Sequence, residues 1–583
     1  MKKDFSISND KVMMNFTVKY CDTMEKIINS NGFRTVLKAY INKIKGRNSN
    51  IYRYISVSLP SNNKNQIEDI IKLFNMLTVM KSEDILEFGS HYYRLLSDKD
   101  MFIGFIEDLY SYWRKLERYT LMQSTKVREG LAAVSFLECN EKFTNLIISL
   151  YRKVEENVLG YKPKIYRQLP VGSNAGIIVN RVSWQWGKEY EFLGDIPFID
   201  TIILETPYIT YPKRNTRNGM FQEVYENPLK NCNINKDHWM CYPAKVGELL
   251  AFVYFHRDFM AHGVTLCNLF EIAKEEEYVG KRPDIIYMFG VRDDAEKAKT
   301  NFYMDEDNGI IIGYASHSEE IDYFGYMKKM ILTLHNIIMI KKGYLPIHGA
   351  MVNIVMKNGK EANVVIVGDS GTGKSESLEA FRSLSEQYIR DMTIVFDDMG
   401  VLKIHKDGHI LGYGTEIGAF VRLDDLDQGY AFKEIDRSIF MNPDKTNARL
   451  VMPVSSYKDI MKGYAVDLIL YANNYTLVHG KEKSITYFDK VEEAISVFKC
   501  GARVAKGTTT EKGLVNSYFA NPFGPAQKVQ ETDVILDEYF KLLMKSGVKV
   551  GEIKTCLSIS GMEKKGPYNA AIELFKIIDN LKK

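Results

Sequence analysis

One stretch narrows what this chain can fold into more than any other: Gly368-Asp369-Ser370-Gly371-Thr372-Gly373-Lys374-Ser375. It follows the apolar run 364–367 and precedes residues 376–385, which are helix-like in composition. A strand, a glycine-rich turn and a Lys-Ser pair opening a helix is the layout of a phosphate-binding loop. Glycines let the backbone turn tightly enough for successive N–H groups to point inward at phosphate oxygens. The following helix adds positive potential at its N-terminus, Lys374 can reach the β- and γ-phosphates, and Ser375 can hold a divalent ion. A chance match to this spacing occurs in roughly a few per cent of chains of this length, and the strand–loop–helix context lowers that further. The eight residues therefore predict nucleotide binding.

A second apolar run, 393–396, ends in Asp397-Asp398, and Asp398 lies 24 residues beyond Lys374 (398 − 374). Acids at the carboxyl end of a strand neighbouring a phosphate loop are where a nucleotide fold places its metal-holding carboxylate. Strand-like 350–355, a turn at 357–359 and strand-like 363–367 lead into the loop. Further strands are expected at 401–404, 409–413, 468–472 and 475–479, then helix, strand and helix from 533 to 583.

The rest of the chain divides by texture. Residues 1–160 read as mostly helical, with apolar residues at three- and four-residue intervals over 24–44, 66–77 and 102–124. No phosphate loop, metal spacing or nucleophile pair occurs there, so this region is read as an added helical part serving oligomerisation or a protein partner. Over 161–345, short β-branched or aromatic runs (175–182, 198–204, 284–290, 308–314) alternate with stretches read as helical, 245–259 and 321–340. This is mixed α/β. Residues 346–583 form a second α/β part that carries the loop. Segment 212–225, with Lys213, Arg214 and Arg217, reads as a basic connection.

Composition excludes several classes. A net charge of +3 over 583 residues, with lysines and acids interspersed, makes no case for nucleic acid as a partner. No run approaches eighteen apolar residues, and no apolar stretch follows Met1-Lys2-Lys3-Asp4, so neither a membrane span nor a signal peptide is expected. The seven cysteines include no C-x-x-C pair, which argues against a disulfide framework or a cysteine zinc site. The expected compartment is the cytoplasm.

In order along the chain, the motifs resemble those of the phosphoenolpyruvate carboxykinases, most closely the ATP-dependent branch. Gly371-Thr372-Gly373-Lys374-Ser375 is similar to that family's S-G-T-G-K-T-T loop, and Tyr323-Phe324-Gly325-Tyr326-Met327-Lys328-Lys329 to its Y-x-G-E-[IM]-K-K element. His348 follows Lys329 by 19 residues (348 − 329), the family's spacing between two nitrogen ligands for Mn²⁺. Asp398 stands at the third ligand, in the position of the G-D-D motif. Asn447-Ala448-Arg449-Leu450-Val451-Met452-Pro453 resembles N-T-R-x-x-Y-P. The segments 502–508 and 517–523 resemble T-A-K-V-A-G-T and S-A-C-F-G-A-P-F.

The resemblance runs from about 245 to 583. It implies a two-lobed carboxykinase-like α/β fold: an N-terminal lobe over 161–345 and a nucleotide- and metal-binding lobe over 346–583, preceded by the helical region. It also implies decarboxylation of oxaloacetate and phosphorylation of the enolate to phosphoenolpyruvate, a step of gluconeogenesis or anaplerosis. Mn²⁺ would be held by Lys329, His348 and Asp398, and Mg²⁺ by Ser375 together with ATP. Arg449 would contact the moving phosphoryl group, Asp397 would join catalysis, Thr508 the nucleotide site, and Tyr323 and Lys328 the substrate. Lysine ligates only as the neutral amine, so Lys329 needs a strongly lowered pKa.

The pattern also departs from that family. Gly368-Asp369-Ser370 and Ser375-Glu376 are closer to the loop of HPr kinase/phosphorylases, which also carry a His-Gly pair like His348-Gly349. Asp397-Asp398-Met399-Gly400 lacks a His-Gly-Trp continuation, and no R-S-P-K-D-K element is found. Arg181, Arg214 and Arg217 compete for the role of dicarboxylate clamp. A kinase acting on a protein or small-molecule hydroxyl, or a nucleotide-binding regulatory protein, is the alternative expectation.

Overall fold

Residues 245–259, read as helical, are mostly strand in the computed structural model. Trp239–Val246 and Leu249–His256 pair antiparallel across a tight turn. Periodicity cannot separate a strand buried on both faces from a buried helix, and every residue of Leu249–His256 except Leu250 is buried. The structure describes residues 3–46, 49–59, 63–123, 131–161, 172–185, 187–205, 207–217, 219–230, 232, 234–293, 299–423, 437–480, 482–505 and 513–581. They fall into two units, Met1–Arg181 with Pro197–Glu205, and Val182–Ile196 with Thr206–Lys583. The architecture is mixed α/β.

The first unit is rich in helix but is built on strands. Phe5–Ser8, Lys11–Asn15, Glu117–Gln123, Ala175–Asn180 and Phe198–Leu204 pair in that order, with the second, third and fourth parallel. Residues 24–44 split into helices Met24–Ile28 and Asn31–Gly46, because Asn29 and Ser30 cap the break; the Ser30 hydroxyl accepts from the Phe33 N–H at 3.0 Å. The helix expected over 102–124 ends at Lys115, and Glu117–Gln123 is a strand whose first five residues are all buried. With both faces covered, no polar alternation marks it as β. Tyr40, Phe74, Phe102, Phe105, Phe136 and Val154 lie in the core.

The second unit contains two large sheets. In one, Trp239–Val246, Leu249–His256, Ile285–Val291, Ile310–Ser316 and Thr300–Asp305 are neighbours in that order, and the second, third and fourth run parallel. In the other, Leu345–Met356 lies between Ile389–Ile404 and Glu361–Val367, followed outward by Leu468–Asn473 and Lys549–Lys554. The runs 393–396 and 401–404 are parts of one long strand, and 475–479 is not a strand. There the Asn473 side chain accepts the Tyr475 and Thr476 N–H groups at 3.1 and 2.9 Å, turning the chain away from the sheet. Helix Phe324–Lys341 is buried nearly all round and touches both sheets. Among the described residues no helix is long and apolar enough to cross a membrane.

His335 on that helix is fully buried, and burial pushes its pKa down to about 4. The unfolded imidazole takes its proton near pH 6.5, so this group's contribution to stability is present above that pH and is lost as pH falls toward 4. Relative to His335→Gln, the wild-type unfolding free energy is expected to drop by about 3 kcal/mol between pH 7 and pH 4. Urea titrations at three pH values check this; parallel slopes for the two proteins would refute it.

Candidate active site

Sheet register brings the site together. Gly349 on the central strand faces Val367 on one side and Asp398 on the other. The loop leaving Val367, the ring of His348 and the pair Asp397-Asp398 therefore reach the same edge of the fold.

The loop turns through Gly371 and Gly373, at φ 79° and 100°, and Gly373 caps helix Lys374–Ser383. A Cβ on Gly373 would stand 2.7 Å from the Thr555 side chain, so glycine alone fits there. The Thr555 hydroxyl donates to the Thr372 carbonyl at 2.7 Å and the Asn474 amide to the Gly371 carbonyl at 2.9 Å, pinning the turn. Lys374 Nζ donates to the Asp369 carbonyl at 2.9 Å, laying the ammonium across its own loop. The Asp369 carboxylate accepts Arg503 Nε at 3.0 Å and the Ser370 N–H at 2.7 Å. Ser375 Oγ lies 3.4 Å from Asp397 Oδ1. Burial, reinforced by the Asp398 charge, pushes the Asp397 pKa up despite Arg382.

Asp398 is the centre of the second cluster. Its backbone φ of 140° is a conformation that L-residues rarely adopt; such strain costs of order 1–3 kcal/mol and persists where surrounding contacts over-determine it. Its carboxylate receives Lys329 Nζ at 2.6 Å, Lys328 Nζ at 2.7 Å and His348 Nε2 at 2.9 Å. Lys328 also meets the buried Glu416 at 3.1 Å. Burial opposes the charge on Lys328, but Asp398 and Glu416 outweigh it and hold its pKa above the ordinary lysine value. Burial together with Lys328 outweighs Asp398 at Lys329 and brings its pKa down to about 8. Burial pushes Glu416 up to about 7.

The His348 ring lies between two acceptors, with Nδ1 2.7 Å from the Ala520 carbonyl and Nε2 2.9 Å from Asp398 Oδ1. With an ion between Nε2 and the carboxylate, the ring proton would sit on Nδ1 and the Nε2 lone pair would face the ion. One imidazole, one amine near its neutral range and one carboxylate form an N/N/O donor set that fits a transition-type divalent ion better than Mg²⁺ or Ca²⁺.

Aromatic rings join the remaining cations to this cluster. Phe523 carries Lys329 Nζ 4.5 Å from its ring centre and the Arg217 guanidinium at 5.2 Å, with the His348 ring at 5.7 Å. Phe420 likewise lies 5.7 Å from Lys328 Nζ, 5.4 Å from the Arg449 guanidinium and 5.9 Å from the Tyr323 ring. The Arg449 Nε is buried without a hydrogen-bond partner among the described residues. Burial pushes the Tyr323 hydroxyl up, against the pull of Arg449, Arg217 and Lys328.

Of the three arginines that compete for a carboxylate, Arg217 alone is packed against this cluster. Arg214 is exposed, and Arg181 is exposed in the other unit. The loop bearing Arg217 is tied down by Asp322, which accepts the Lys213 N–H at 3.0 Å on its side chain and the Arg214 N–H at 3.1 Å on its carbonyl. Thr508 lies outside the described residues. Glu416 was invisible in the sequence, being a single acid in Gly414-Thr415-Glu416 with no motif around it. Phe420 and Phe523 read there as ordinary apolar residues. Compared with models of known protein families and with curated proteins, the chain finds no match in either.

Proposed function

We propose that this chain is an ATP-dependent phosphoryl-transfer enzyme of the phosphoenolpyruvate carboxykinase kind, built as a two-lobed carboxykinase-like fold within its second unit. The observation that supports this reading is the meeting of Lys328, Lys329 and His348 on Asp398, beside a glycine-rich loop whose Ser375 approaches Asp397. In the proposed reaction the carbon–carbon bond to the leaving carboxylate of oxaloacetate breaks, CO₂ departs, and its electron pair comes to rest on the enolate oxygen. That oxygen attacks the γ-phosphorus of ATP, and ADP leaves.

Negative charge builds on oxygen in both steps, so fixed cations dominate catalysis. Lys374 and the loop N–H groups hold the β- and γ-oxygens, and Arg449 neutralises the moving phosphoryl group. Arg217 grips a carboxylate of the acceptor, and Tyr323 and Lys328 line the acceptor side. Mn²⁺ at Lys329, His348 and Asp398, and Mg²⁺ at Ser375 with ATP, would supply Lewis-acid charge to the same oxygens.

Purified protein given Mn²⁺, Mg²⁺, ATP and oxaloacetate is expected to form phosphoenolpyruvate. ATP consumption only in the presence of a hydroxyl acceptor would replace this reading with the kinase one suggested by Ser375-Glu376. Nucleotide binding with no turnover of either acceptor would favour a regulatory protein. Arg217→Ala is expected to raise KM for the dicarboxylate about 10- to 100-fold, the worth of one charge-assisted hydrogen bond, with KM for ATP unchanged. Arg214→Ala serves as the control, and equal effects of the two would remove Arg217 from the site.

A further inference from the structure

A second cluster of ligating side chains lies in the other sheet of the same unit and shares no residue with the first. Leu249–His256, Ile285–Val291 and Ile310–Ser316 run parallel as neighbours, and His256, Arg292 and His317 stand at or just beyond their carboxyl ends. The crevice beyond the carboxyl ends of parallel strands is where open α/β sheets bind ligands.

Two local features shape this edge. Leu249–His256 leads into the turn Arg257–Phe259, which folds over the sheet end and buries Asp258. Ile285–Val291 bulges at Gly290, φ 93°, where a Cβ would meet the Phe259 ring at 2.6 Å and His256 Cβ at 3.1 Å. Glycine there lets the turn close down.

The result is compact. His317 Nε2 lies 2.9 Å and His256 Nδ1 3.4 Å from Asp258 Oδ2, and one ligating atom from each of the three residues falls within 4.8 Å of the others. Ring packing holds the imidazoles: His256 lies 5.1 Å from His317 and 5.7 Å from Trp239, and Phe259 lies 5.2 Å from His317. His256 and Asp258 are buried, whereas the His317 side chain is 22% exposed, so the cluster opens to solvent on one side. His238, whose ring is 5.6 Å from His256, stands nearby as a further imidazole.

We propose that His256, Asp258 and His317 form a binding site for a divalent transition ion, with two imidazoles and one carboxylate as ligands and open positions toward solvent. That donor set suits Zn²⁺, Fe²⁺ or Mn²⁺ and disfavours Mg²⁺ and Ca²⁺. Two groups give way when the ion enters. The Asp258 N–H donates to His256 Nδ1 at a long 3.2 Å, and Arg292 approaches Asp258 at 3.6 Å with 70% of its side chain in solvent.

The test uses the full chain, stripped of metal and titrated with Zn²⁺ and, separately, Co²⁺. Wild type is expected to bind one more Zn²⁺ per chain than His317→Ala. Removing a direct ligand should also weaken that ion's affinity at least about 100-fold, more than the loss of an outer partner does. Bound Zn²⁺ should protect His317 of the wild-type chain from diethylpyrocarbonate, a readout that holds even if the variant folds poorly. Equal stoichiometry in the two proteins, or His317 modified at the same rate with and without Zn²⁺, overturns the site. Because His317 is no part of the Asp398 cluster, failure here leaves the proposed reaction standing.

Discussion

Lys374→Ala is expected to lower phosphoryl transfer by about 10³-fold or more while the fold persists. Lys374 is buried, which pushes its pKa down, although Asp398, Asp369 and Asp397 pull the other way. Its Nζ donates to the Asp369 carbonyl of its own loop, so truncation removes charge from the loop. Charge on the β- and γ-oxygens would then be met without the loop's own ammonium group. The prediction concerns kcat more than nucleotide affinity, because the ammonium's advantage grows as charge develops in transfer. Single-turnover phosphoryl transfer and binding of a fluorescent ATP analogue separate the two. A variant within tenfold of wild type in kcat would remove Lys374 from the chemistry.

Asp398→Asn is expected to cost both stability and function. The carboxylate is the common partner of Lys328, Lys329 and His348, and the Lys328 side chain is wholly buried. Taking away one member of a buried ion pair leaves an uncompensated charge and typically costs about 3–5 kcal/mol. Lys329 relieves part of this by giving up its proton, since its pKa already lies near 8. Lys328 keeps Glu416 at 3.1 Å. The loss should therefore fall near the lower end, about 3 kcal/mol, read as a shift in the urea midpoint. Mn²⁺-dependent turnover should vanish in the same variant. An Asp398→Asn protein that unfolds like wild type would mean that the lysines are not held charged by this carboxylate.

How much of this was legible in the sequence differs from element to element. The strand Glu361–Val367, the glycine turn and helix Lys374–Ser383 were readable because each is specified by residues adjacent in the chain. Leu249–His256 was misread, and so was Glu117–Gln123, for a shared reason: a strand covered on both faces loses the alternation that would distinguish it. Residues 475–479 misled in the other direction, since β-forming side chains followed an Asn473 turn that ended the pairing. Asp398 could be singled out from its place at the end of the strand that follows the phosphate loop, whereas Lys328, Lys329 and His348 could be singled out only by their resemblance to known motifs.

A phosphate loop is local chemistry. Its glycines, its Lys-Ser pair and its helix start lie within eight residues, and backbone geometry alone carries the inference. The cluster on Asp398 is of another kind, because its partners come from helix Phe324–Lys341, strand Leu345–Met356 and the segment at Glu416. Only the register of Gly349 against Asp398, and the packing of that helix against the sheet, brings them within hydrogen-bond reach. Arg217 was one basic residue among three until Phe523 set it 5.2 Å from the ring that also carries Lys329. The trio of His256, Asp258 and His317 had no motif at all, since it exists only where parallel strand ends meet under a bulge at Gly290. Side-chain identity travels with the sequence. Convergence of distant side chains depends on strand register and helix packing, and those are set by the whole core.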